Sequence, residues 1–514
     1  MMLLGLLALG QTVAGQEIRW SDWQKANRGN NYFYIIGQDE TGIYVRRQMS
    51  TRLRTRYELV RYSHAMVREK ATPLALELEG KQVELHDELL YNGQLLLLTT
   101  YINLQQKARY LFVQTVDKQS MTVSAKPRLL ATMDFEDGSR NREGEFAIRV
   151  APDSSHLMVV VARAGKKKAQ RVMTYHVFDR NLDMLWKKSV TYEFANAQLN
   201  DISLRVDRRG YAWLMVGIGA ADEDDETPDT YQVYQYRPDA TITYRLDHGG
   251  NDLQEMNITL DQADRIVIWG LYREVAHREK QYMTGVCTAI IDAETAPTVP
   301  LRLEALAPDA LVHAFAPDKW TKSRNEKRRD KGKDYQYYWY ALRGTQLLPD
   351  GGMLIHGEKW LITRHNKYNN STYYEVNRYN YHDFIAMRLS ASGKIEWVRS
   401  IPKRQRAGQS RGSWASYACL PSQDKLRFCF NGPRENLNWD GKGQPEYFWK
   451  MTGAVAMYVE VDADGNVSPR KALFDGDLNF LFRTYNLEPL GPDRALQIGQ
   501  RYKKYRVGTA AFGE

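Results

Sequence analysis

The chain has 514 residues, 43% of them hydrophobic and 11% aromatic, which is long for one ordinary domain but within reach of a closed repeat fold. Lys and Arg exceed Asp and Glu by 71 to 62, giving a net charge of +9 and a pI near 9.1. A mildly basic balance suits a polyanionic neighbour such as an acidic glycan or a membrane surface, whereas nucleic acid would want the charge concentrated on one element.

Met1 to Gly15 is uncharged and mostly apolar and ends Thr12-Val13-Ala14-Gly15. An apolar run of about ten residues is too short to span a bilayer and suits the core of a signal peptide, with small residues placed for cleavage before Gln16. No Lys or Arg precedes the run, which departs from the usual pattern, and no Cys follows it to carry a lipid anchor. No other stretch reaches transmembrane length. The expectation is an exported chain, periplasmic or at the cell surface, with residues 16–514 as one domain.

From there the chain reads as a repeated antiparallel meander, its β-rich runs separated by turn chemistry. After a possible strand at Glu17–Trp23, unit one pairs Tyr32–Gln38 with Ile43–Gln48 across Asp39-Glu40-Thr41-Gly42. Unit two turns at Tyr91-Asn92-Gly93 and at Asp117–Ser120, and unit three at Pro152–Ser155 and Asp179–Asp183. Unit four turns at Asp207–Gly210 and Pro238–Ala240, and unit five at Asp261–Asp264 and Asp292–Glu294. Unit six, Tyr338 to Pro402, is the clearest: strands Tyr338–Leu348, Met353–Thr363, His382–Leu389 and Lys394–Ile401 around a long polar loop, His365–Asn380. Unit seven turns near Pro421–Asp424 and at Asp462–Asn466, and unit eight at Gly491-Pro492-Asp493. First turns recur about every 64 residues, and eight such units account for the chain. Four-stranded antiparallel units at this period predict an all-β, closed β-propeller of eight blades, with seven as the alternative. Unit eight lacks a fourth strand, and Glu17-Ile18-Arg19-Trp20, patterned like Lys394-Ile395-Glu396-Trp397, is expected to supply it.

The hairpins Phe178-Asp179…Leu185-Trp186 and Leu389-Ser390-Ala391-Ser392-Gly393-Lys394-Ile395-Glu396-Trp397 resemble the blade endings of the quinoprotein-like eight-bladed propellers. That family includes quinone-dependent dehydrogenases and an outer-membrane assembly scaffold. The resemblance implies the fold and carries over neither a quinone nor a metal. The Tyr- and Asn-rich, long-looped composition is similar to that of secreted propellers of Bacteroidetes-type bacteria.

In a propeller, second-to-third and unit-to-unit connections share a face. That rule gathers Arg163–Arg171, Ala220–Thr230, Arg273–Gln281, His365–Asn380, Asn431–Glu446, Glu304–Gln336 and Lys403–Gly412 on one side. Around units six and seven it places Trp320, Tyr368, Tyr373, Tyr374, Tyr379, Trp439, Tyr447 and Trp449, with His365 at the border. Flat rings with polar handles suit sugars or a protein partner. Arg328 and Arg329 within Lys319–Lys333, together with Lys403, Arg404, Arg406 and Arg411, add positive charge. Packing of the rings onto the scaffold and plain solvation of the basic loops are the competing readings.

Cys419 and Cys429 flank the unit-seven turn symmetrically, so a cross-strand disulfide and two buried free thiols both fit, while Cys287 reads as core. Asp222–Glu226 and Asp462–Asn466 lack the spacing of a calcium loop. Gly408-Gln409-Ser410-Arg411-Gly412 matches a nucleophile elbow but lacks its strand-to-helix context. The ten histidines show no zinc spacing. Neither cofactor nor metal is expected. Two function classes follow: a non-enzymatic scaffold that binds an envelope protein or glycan, and a propeller glycoside hydrolase or lyase, for which Glu84, Asp87 and Glu88 are the best acids.

Overall fold

A computed structural model of the chain describes residues 17–25, 30–50, 55–78, 80–135, 144–163, 169–195, 198–219, 230–274, 284–306, 339–369, 372–408, 414–422, 425–442, 444–474, 480–491, 493–501 and 504–512. The fold is an all-β propeller of eight antiparallel blades. The first strands of blades one to seven are Asn30–Asp39, Glu84–Tyr91, Glu145–Val150, Leu199–Val206, Asp252–Leu260, Trp339–Leu347 and Ala418–Pro421. Blade eight runs from Leu481–Phe482 through Arg494–Arg501 to Lys504–Ala511. Its outermost strand is Glu17–Trp20, paired with Gly508–Ala511 as expected. The eight-blade alternative therefore holds over seven.

The short turns form for a repeated local reason. In many of them an Asp accepts backbone N–H bonds on its carboxylate, which competes well with water because the donors are preset by the turn, while Ser390 takes that place in blade six. Asp207 Oδ1 accepts from the N–H groups of Arg209 and Tyr211 at 3.0 and 2.8 Å, and Asp261 Oδ1 from Ala263 and Arg265 at 2.8 and 2.9 Å. Asp462 does the same with Asp464 and Asn466 at 3.0 and 2.8 Å, so the calcium-like run is hairpin chemistry.

The second strand of blade three is apolar at every position because both of its sheet faces are covered. In Leu157–Ala162, Leu157, Val159 and Val161 pack toward blade two, while Met158, Val160 and Ala162 pack toward blade four. In the core between blades three and four, the Tyr175, Tyr192 and Tyr236 hydroxyls satisfy one another in a chain at 2.8 and 2.7 Å.

The chain divides into two compact units. One comprises Met1–Ala71, Ile362–Tyr381 and Lys403–Glu514, and holds blades one, seven and eight. The other, Thr72–Leu361 with His382–Pro402, holds blades two to five and most of six. Within the first unit the N-terminal strand is anchored by Trp20, whose ring lies 5.1 Å from both Phe474 and Phe480. A Cβ at residue 508 would sit 2.2 Å from the Trp20 ring, so only glycine admits this approach. Arg427, fully buried, bridges blades seven and eight through Glu460 at 2.6 Å and Asp493.

Two expectations are corrected. His365–Asn380 is not a loop: the second and third strands of blade six run Met353–Asn369 and Thr372–Leu389, so the hairpin simply continues. Its Thr, Tyr and Val content is strand-forming, and its many polar groups conceal that. The disulfide is also absent. The register sets Cys429 opposite Ala418 and Cys419 opposite Phe428, which directs the two side chains to opposite sheet faces, and both thiols are free. Burial raises both, the Cys429 thiol to about 12. Cys287 is core, as expected.

Candidate binding surface

Within the first unit, the segment after blade six is held on both sides. Gln405–Gly408 pairs antiparallel with Arg378–Tyr381 and bridges in parallel to Phe448, with Arg406 N donating to Phe448 O and Phe448 N to Arg404 O, each at 2.9 Å. A short strand flanked by two partners is a rigid base, and the residues along it divide by burial.

Lys403, expected to be solvated, is buried. Its ammonium donates to Gln405 Oε1 at 2.9 Å and faces the rings of Tyr381 and Tyr417 at 5.9 and 6.0 Å. Gln405 Nε2 donates onward to Asn431 O at 2.7 Å, and Asn431 Nδ2 to Trp414 O at 2.9 Å. This buried polar relay is satisfied link by link, the condition for burying a charge.

Outside it lie three cation–aromatic pairs: Arg404 over Tyr447 at 5.1 Å, Arg470 over Trp439 at 4.7 Å and Lys450 over Trp449 at 5.3 Å. Trp439 is half-buried and pinned by its Nε1 donating to Lys442 O at 3.1 Å. Trp449 is 57% exposed. Tyr379 is half-buried in register with Ala407. Trp320, Arg328, Arg329 and Arg411 lie outside the described residues, as do the side chains of His365, Tyr368, Tyr373 and Tyr374, whose backbones form the extended hairpin. The loop residues 164–168, 220–229 (with Asp222–Glu226) and 275–283, and the elbow-like residues 409–412, fall outside as well. The alternative acids lie on one strand of blade two, Glu84 and Asp87 exposed and Glu88 half-buried. Among the described residues no three His, Cys, Asp or Glu side chains group as metal ligands.

A second feature of this unit escaped the sequence reading. Arg483 follows the first strand of blade eight, is 8% exposed, and pairs with no carboxylate among the described residues. Its guanidinium faces Trp414, Tyr32 and Phe33 at 5.3, 5.7 and 5.9 Å and donates to the Tyr485 hydroxyl at 2.9 Å and Gln500 Oε1 at 3.2 Å. Its Nε–H has no acceptor among the described residues. Tyr485 is 47% exposed, so a buried cation reaches the surface through a phenol. Partial desolvation raises that phenol's pKa despite the opposing Arg483 charge, keeping it protonated. An arginine beside a first strand, in the run Leu481-Phe482-Arg483-Thr484-Tyr485, was the available signal.

No family profile and no curated sequence matches the chain. Among solved structures, it is similar to an α-L-arabinanase of Penicillium chrysogenum, with 9% identity, 67% of this chain and 93% of that one covered, and a TM-score of 0.34. It is similar to the polysaccharide lyase Uly1 at 10% identity, covering 85% and 93%, with a TM-score of 0.36. An apocarotenoid oxygenase of Synechocystis gives 9% identity, coverage of 97% and 94%, and a TM-score of 0.32.

Proposed function

We propose that the protein is a non-enzymatic, exported binding propeller of the cell envelope that takes an acidic glycan on the blade-seven surface of its first unit. The supporting observation is the set of three cation–aromatic pairs, with Trp449 exposed beside Lys450. A sugar ring stacks on an indole face while its carboxylate or sulfate meets the adjacent cation. The test is calorimetric titration with polygalacturonate and with heparin. Trp449→Ala and Lys450→Ala are each expected to weaken binding by about tenfold, or ~1.4 kcal/mol, without lowering the unfolding midpoint. Absence of binding to either polymer, or unchanged binding in both variants, overturns the reading.

The Arg483–Tyr485 pair favours a second reading, a polysaccharide lyase. The arginine would hold a uronate carboxylate; the C5 proton would pass to water, the C4–O bond would break as C4=C5 forms, and the protonated phenol would give its proton to the departing glycosidic oxygen and regain one from water. Unsaturated sugar ends accumulating with wild type but not with Tyr485→Phe would establish that reading over the first.

A further inference from the structure

In the second unit, the outer edge of blade five is incomplete. Its fourth strand, Arg302–Ala305, pairs with the third strand only from Gly285 to Thr288. The third strand continues through Ala289-Ile290-Ile291, still paired on its other side with Ile266–Ile268. The chain that would extend the fourth strand is committed elsewhere. Thr298–Pro300 lies parallel to Arg245–Asp247 of blade four, locked by Arg245 N to Pro297 O at 2.7 Å and Leu301 N to Asp247 O at 2.9 Å. Among the described residues, no strand covers the outer edge at 289–291.

The direction of the open groups follows from the ladder. Thr284 O accepts from Leu306 N at 3.0 Å on the outer side, and strand groups alternate sides every residue. In that register residues 286, 288 and 290 face outward, while Thr284 at the strand's start turns its own N–H inward to Tyr272 O at 2.9 Å; this leaves the N–H and C=O of Ile290 aimed at the vacated strand position. The Ile290 side chain is 38% exposed.

Beside this edge, against the sheet face that turns toward blade six, lies a groove of about 410 Å³ lined by Val267, Ile290, Leu347 and Met353 and by Arg265 and Arg302. One wall is the blade-six turn at Gly393, where a Cβ would come 2.4 Å from Thr288 Oγ1, so the wall stands as close as glycine allows. Arg265 bonds Asp261 through Nε at 2.7 Å, and Arg302 bonds Glu304 through Nε and Nη2 at 2.9 and 2.7 Å. Both arginine side chains remain more than two-fifths exposed, and Asp261 is the one carboxylate among the described lining residues.

The geometry points to an extended peptide of another protein, added as a strand along Ala289–Ile291, apolar at alternate positions and carrying a carboxylate that meets Arg265 and Arg302. An open edge presents donors and acceptors at main-chain spacing, which a polypeptide satisfies and a glycan does not. The groove volume falls within the range of small-ligand sites and offers room for the side chains such a strand would turn toward blade six. This site is separate from the glycan-binding surface and does not depend on it.

The test is fluorescence anisotropy with a labelled hexapeptide of alternating valine and threonine ending in a free carboxylate, compared with its C-terminal amide and with a copy N-methylated at alternate nitrogens. The free acid is expected to bind, the amide several-fold more weakly, and the N-methylated copy not at all. Ile290→Asp is expected to reduce affinity by at least about tenfold, and Arg302→Gln, on an exposed side chain that cannot unfold the core, by several-fold. Failure of the free acid to bind, equal binding of all three peptides, or unchanged affinity in folded Ile290→Asp and Arg302→Gln proteins overturns the proposal. Self-association that Ile290→Asp abolishes, with no peptide binding, assigns the edge to a second copy and overturns it too.

Discussion

His176 shows how one buried side chain ties this fold to pH. It is 3% exposed on the third strand of blade three, and burial lowers its pKa to about 4, with the Lys187 charge adding to the effect. His356 is likewise lowered to about 4 by burial and by Arg343. Between pH 4 and the unfolded value near 6.5, the unfolded chain binds protons that the folded chain refuses, so stability rises with pH. The contribution is complete above about pH 6.5 and is lost as the pH falls toward 4, at most about 3 kcal/mol per histidine. Urea unfolding at pH 7 and pH 4 is expected to show the midpoint falling, and His176→Leu to flatten part of that fall. An unchanged slope in the variant would mean that other groups carry the dependence. The residue scale also separates the basic residues of the 403–406 segment: Lys403 is buried in a satisfied relay, whereas Arg404 lies over a tyrosine ring at the surface. Identical charges in sequence thus serve scaffold and surface.

At the scale of elements, the N-terminal strand is the clearest dependence. Glu17–Trp20 covers the outer edge of Lys504–Ala511 and sets Trp20 against Phe474 and Phe480, with Arg506 over its ring at 4.5 Å. Trp20→Ala removes a ring for which Gly508 has been kept open, and roughly 3 kcal/mol of stability is expected to go with it. Arg19→Ala, one residue away and exposed, is expected to change stability by less than about 0.5 kcal/mol. Equilibrium unfolding of the two variants checks the pair, and equal effects would show that pairing of the strand matters more than its tryptophan. The extended hairpin of blade six carries the opposite lesson. Its polar, tyrosine-rich tip reads as a loop because strand propensity reports half-buried surface, and these residues lack an alternating apolar face.

For the whole molecule, the net charge of +9 bears on the proposed glycan. Exposed charges interact within a Debye length, so binding of a polyanion to this surface is expected to weaken as salt rises from about 0.05 M to about 0.5 M. Titrations across that range check it, and a flat response would assign affinity to ring stacking alone. The Trp449→Ala variant should then lose most of the binding.

The number of blades, their turns and the N-terminal strand closing blade eight were legible in the sequence, because Asp-centred turns and two-residue alternation are local and repeat. The aromatic character of the blade-seven surface was legible for the same reason, as composition. Burial of Lys403, the opposed faces of Cys419 and Cys429, the box around Arg483 and the open edge at Ala289–Ile291 belonged to the tertiary structure alone. Each depends on register or on where a distant segment is committed. A one-residue shift in pairing moves a side chain to the other face. The diversion of Thr298–Pro300 to blade four is a contact that no local pattern encodes.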